Sequence, residues 1–103
     1  SLIPVLTIGE EPRPLGKYGM LRKTFLKENR AGWYQGMMLE GKLDSHLADI
    51  EEAAAERMEV LVERLLEKYP APDKRKDPLA WAAHMNSLTA MAEESVLQEL
   101  VYS

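Results

Sequence analysis

Cysteine is absent from the 103 residues, which removes disulfide staples and thiolate metal sites and leaves packing as the source of stability. Such a composition suits a reducing compartment, so the expected location is the cytoplasm. The apolar runs are only a few residues long, against the ~20 needed to span a bilayer, and no signal-peptide core opens the chain. Neither membrane insertion nor secretion is expected. With two histidines, no thiol and no glycine-flanked serine elbow, nucleophilic catalysis has no residues to run on.

What is present is enough apolar matter for a core, 46% of residues, and enough charge for solubility, 29%. The length corresponds to one domain. The net charge of −4 conceals an asymmetry. Residues 1–42 carry seven Lys/Arg against four acids, net +3, whereas residues 43–103 carry six against thirteen, net −7. An acidic total argues against coating nucleic acid indiscriminately, yet a local basic face can still meet phosphates.

Residues 1–14 read as an extended arm in which Leu2, Ile3, Val5, Leu6 and Ile8 are strand formers and three prolines forbid a helix. The arm is expected to lie over a helical domain, residues 15–103, or to form a short edge strand. From Leu15 to Asn29 the spacing of Tyr18, Leu21 and Phe25 predicts a first amphipathic helix. A second, from Arg30 to Leu39, carries Trp33, Tyr34, Met37 and Met38, and Gly41 stands where a left-handed C-terminal cap is wanted. Leu43 to Tyr69 holds neither proline nor glycine, and Leu47, Ile50, Ala54, Met58, Leu61 and Leu65 recur at helical spacing. Its Glu-rich face is expected to be solvated. After a loop containing Pro70, Pro72 and Lys74-Arg75-Lys76, Asp77 as N-cap and Pro78 at the first helical position open a last helix reaching Val101. The predicted fold is all-α: an extended N-terminal arm, two short helices and a long antiparallel helical hairpin, a four-helix arrangement. Val62, Leu66, Met91 and Leu97 broaden the apolar stripes beyond what one hairpin covers. The first two helices or a second copy of the chain are expected to cover them.

No catalytic residue, metal ligand or cofactor site is assigned. His46, Asp49 and Glu56 share the long helix, but the residues three before His46 and His84 are Leu43 and Trp81, so the Glu-x-x-His pattern of carboxylate-bridged sites is missing. Gly16-x-x-Gly19 has no preceding strand and is not a phosphate loop. The constellation that stands out is cationic. Lys17, Arg22, Lys23, Lys27 and Arg30 fall within fourteen residues, near Tyr18, Trp33 and Tyr34, and Lys74, Arg75 and Lys76 could grip a second phosphate stretch. The plainer reading is a solvated helix face and a soluble loop, with Trp33 and Trp81 in the core and the methionines filling gaps.

The order Leu2-Ile3-Pro4, Pro14-Leu15-Gly16-Lys17-Tyr18-Gly19, Leu26-Lys27-Glu28, Gly41-Lys42-Leu43, His46-Leu47-Ala48-Asp49-Ile50, Trp81-x-x-x-Met85-Asn86 and Glu99-Leu100-Val101-Tyr102-Ser103 resembles the TnpV family of transposon-encoded proteins over nearly the whole chain. The resemblance implies a protein of bacterial mobile elements, with no catalytic residues to carry over and a natural start slightly before Ser1. By analogy with excisionase-like accessory proteins it suggests duplex DNA beside a recombinase. Two functions are therefore expected in competition. One is a DNA-binding accessory or regulatory factor using the basic first helix. The other is a non-enzymatic protein-binding module or homodimeric helical protein whose acidic helix and spare stripe engage a recombinase, a host regulator or a defence protein.

Overall fold

In the computed structural model, which describes residues 13–103, helix begins only at Lys17, after Pro14, whose ring leaves no N–H to donate. The arm expected over residues 1–14 therefore lies outside the described residues except for Arg13 and Pro14. Helix α1 runs Lys17–Asn29, two residues later than the periodicity suggests. Arg30 leaves the helical region at φ −141°, and α2 follows at once as Ala31–Leu39. Gly41 adopts φ 71°, so that the Lys42 N–H reaches the Met37 carbonyl at 2.9 Å and the Gly41 N–H reaches that of Met38 at 3.1 Å. This is the Schellman closure that a glycine permits.

Helix α3 spans Leu43–Lys68 and α4 spans Pro78–Val96. The Asp77 carboxylate accepts from the Ala80 N–H at 3.0 Å, the N-cap expected ahead of Pro78. The chain after α3 returns along it: the Tyr69 carbonyl, just past α3, meets His84 of α4, and Arg57 of α3 reaches Glu99, just past α4. The last helix does not stay α to Val101. Residues Leu97–Val101 widen into a π-helical turn closed by the Tyr102 N–H on the Leu97 carbonyl, 2.8 Å. The wider turn buries Val101 completely and presents main-chain oxygens of Val101 and Ser103 to α1.

The core sits at one end. Leu26, Tyr34, Leu43 and Leu47 form its centre, with Phe25 and Met37 against them, and Val96 and Val101 are fully buried alongside. Each such side chain contributes about 1.5–3 kcal/mol by leaving water. On α3 no residue after Ala54 is buried, and on α4 none before Leu88. The molecule is accordingly a thin plate, 56 × 39 × 19 Å, with a radius of gyration of 18.2 Å where about 13 Å is usual for this length. Trp33, expected in the core, is 45% exposed, and Met20 and Met38 are more than half exposed. A plate with so short a core has no interior left for them.

Candidate nucleic-acid interface

The cations of the N-terminal region divide by helical position. Gly19, Arg22 and Leu26 form the stripe of α1 that is buried. At Gly19 a Cβ would stand 3.1 Å from the Leu47 carbonyl, so glycine is what allows α1 to cross α3 this closely, and the Gly19 N–H is accepted by Glu51 at 2.9 Å. Arg22 follows one turn on, inside the same contact. Its Nη1 donates to the Val101 and Ser103 main-chain oxygens at 2.9 and 2.8 Å, and its Nε donates to His46 Nε2 at 3.2 Å. Its guanidinium stands 5.7 Å from the Phe25 and Trp33 ring centroids, and Trp33 meets the His46 ring edge-on at 4.9 Å. Burial and the charge of Arg30 push the Arg22 pKa down from its usual value, but an arginine remains charged. Burial, then the Arg22 charge, pushes His46 below the usual histidine range, so that a neutral imidazole accepts from Arg22.

Lys17 is also engaged. Its Nζ lies 2.8 Å from both Glu93 carboxylate oxygens, and the Tyr18 hydroxyl donates to the same carboxylate at 2.9 Å. These donors, Lys17 first, hold Glu93 below the ordinary carboxylate range, while burial and the hydrogen bond to Glu93 push Tyr18 up to about 12. Arg13 pairs with Asp49 at 2.9 Å and Glu52 at 3.2 Å. The Glu51 carboxylate, on the long helix whose acids sequence alone assigns to a solvated face, instead binds α1, as does that of Glu93 on the last helix. Gly16-x-x-Gly19 was the available signal, read as small residues at a helix crossing rather than as a phosphate loop.

Lys23, Lys27 and Arg30 stand differently. Lys23 and Lys27, four apart, share a stripe about 100° round α1 from Arg22 and Leu26, and Arg30 follows as the C-cap, its backbone turned out of the helical region at φ −141°. Lys27 and Arg30 are exposed and Lys23 half-buried, and among the described residues none of the three forms an ion pair within 4 Å. Lys27 leans over the Tyr34 ring at 5.9 Å and Arg30 over Phe25 at 6.0 Å. Lys74, Arg75 and Lys76 are exposed too, in a turn set by the Asp73 carboxylate, which accepts from the Arg75 and Lys76 N–H groups; Lys74 sits 4.3 Å over Trp81. That turn lies past Lys68, about 25 Å along α3 from the Glu51 crossing. The eight candidate cations are thus not one surface: Lys23, Lys27 and Arg30 form one group and Lys74, Arg75 and Lys76 another, Lys17 is exposed but paired with Glu93, and Arg22 is buried.

Among the described residues no group of three metal-ligating side chains forms, and no helix is long and apolar enough to cross a membrane. No curated protein and no solved structure matches the chain significantly. The family model described as transposon-encoded protein TnpV matches residues 1–101. With the match covering all but the last two residues, the chain belongs to the TnpV family of transposon-encoded proteins.

Proposed function

We propose that this transposon-encoded protein is a non-enzymatic DNA-binding accessory factor that lays Lys23 and Lys27 of α1, with Arg30 at its C-cap, along a duplex backbone. The observation that carries the reading is a group of three cations at the end of α1, Lys23, Lys27 and the C-capping Arg30, without ion-pair partners among the described residues, beside Lys17, which is paired with Glu93, and Arg22, which is buried. A helix end presenting these cations can follow phosphates, and such contacts position a protein without reading sequence. Three phosphate contacts make the binding weak and strongly salt-dependent, with a slope of log K against log salt near about −2.7. A factor of that strength works beside a recombinase that supplies the sequence reading. The Lys74–Lys76 turn, far along α3, reaches the same duplex only if the duplex bends or runs lengthwise along the plate.

The test is a mobility-shift titration on transposon-end duplex with wild type and a Lys23→Glu/Lys27→Glu/Arg30→Glu variant. Wild type shifts the duplex at low salt and the variant does not. A shift that survives the three reversals, or no shift by wild type at low salt, removes the reading. Arg22 is left intact because its substitution would test folding instead of binding.

A further inference from the structure

The distal half of the α3/α4 pair carries a groove of about 580 Å³ floored by Met58, Val62, Leu66 and Thr89 and flanked by Glu59 and Glu63. Glu51, Met58 and Val62 recur at seven and four residues, and Thr89 precedes Glu93 by one turn. The groove is therefore the continuation of the face that α1 crosses at Glu51 and Glu93. Over the crossing, α1 covers that face. Beyond it, nothing among the described residues does, and no side chain of α3 past Ala54 is buried. The volume falls within the about 300–1,000 Å³ of pre-formed binding sites, and its length along α3, two turns, suits the apolar stripe of a docking helix.

Charge decides between occupants. Both carboxylates at the rim are exposed. A nucleic acid would bring like charge against Glu59 and Glu63, and a second copy docking face to face would set two acidic rims against each other. An amphipathic helix with a leucine-type stripe and lysine or arginine flanks satisfies both floor and rim. We infer that this groove is a docking site for a basic amphipathic helix of another protein, independent of the cationic stripe on α1.

The experiment measures fluorescence anisotropy of labelled model peptides with the full chain: a Leu/Lys amphipathic helix, a Leu/Glu helix of the same pattern, and a Leu/Lys peptide of scrambled order. The Leu/Lys helix binds best, and a Glu59→Lys/Glu63→Lys variant weakens it by about tenfold and gains affinity for the Leu/Glu helix. A Glu28→Lys/Glu40→Lys variant, altered at exposed carboxylates of α1 and of the turn after α2, away from the groove, leaves both unchanged. Equal binding of the scrambled peptide, or equal loss in the Glu28/Glu40 variant, reduces the effect to net charge and overturns the proposal. So does tighter peptide binding by a full chain carrying Ile3→Ser, Val5→Ser and Leu6→Ser, which would make residues 1–12 the occupant. A concentration-dependent dimer in sedimentation, altered by the Glu59/Glu63 reversal, would make it a second copy.

Discussion

Arg22 donates from Nη1 to the Val101 main-chain oxygen, 2.9 Å away and 79 positions later in the chain. The same nitrogen reaches Ser103, so one buried side chain of α1 closes the π-helical turn at the end of the fold. A carbonyl group left without a partner in such a site costs the full desolvation of that group.

Arg22→Ala is expected to lower the unfolding free energy by about 3 kcal/mol, read from urea midpoints by circular dichroism. Arg22→Lys recovers only part, because an ammonium cannot serve His46 and two main-chain oxygens from a planar fork. Unchanged stability in Arg22→Ala would contradict the role.

Much of this fold was legible before any coordinates. The Gly41 cap, the Asp77-Pro78 start and the unbroken run from Leu43 follow from local chemistry that tertiary contacts do not override. Arg22 was not distinguishable from Lys23, since adjacent cations differ only in which way the helix turns them, and that was set by where α1 crosses α3. The π-helical turn was equally hidden: its residues, Leu97 to Val101, have ordinary helix periodicity, and the wider turn is stabilised by a side chain from the other end of the chain. Glu51 looked like a member of the long helix's charged face, and Glu93 carried no signal, because their partners are a backbone N–H and a lysine distant in sequence.

At Gly19 the cost of a side chain can be set against helix propensity. Gly19→Ala improves propensity by about 1 kcal/mol, but its Cβ meets the Leu47 carbonyl at 3.1 Å, and the expected net effect is a loss of about 1–2 kcal/mol. Gly36, inside α2, has open space around a Cβ, so Gly36→Ala stabilises by about 0.5–1 kcal/mol. Thermal unfolding of the two variants should move in opposite directions.

Because His46 is held below its ordinary pKa of 6.5, the unfolded chain takes up a proton more readily than the folded one. The stability due to neutral His46 is complete above pH 6.5 and is lost as pH falls through the lowered folded value. Urea midpoints between pH 7.5 and pH 5.5 should therefore drop further for wild type than for His46→Gln, whose amide oxygen can still accept from Arg22. Parallel drops would contradict the contact.

Tyr18 gives the opposite sign. With its hydroxyl pushed up to about 12 from 10.0, its contribution is complete below pH 10 and is lost as pH rises toward 12. In an ultraviolet absorbance titration, Tyr18→Phe should remove a component that ionises at about 12 and cost about 1 kcal/mol near neutral pH.

The account divides the cations of α1 into those that hold the fold and those that meet a partner, and the salt dependence of duplex binding tests this division most directly. Anisotropy titrations across a range of salt should give wild type a log–log slope near about −2.7, with Lys17→Gln keeping that slope and Lys23→Gln/Lys27→Gln/Arg30→Gln flattening it toward zero. A triple variant with the wild-type slope, or a Lys17→Gln variant that flattens as much, would contradict it.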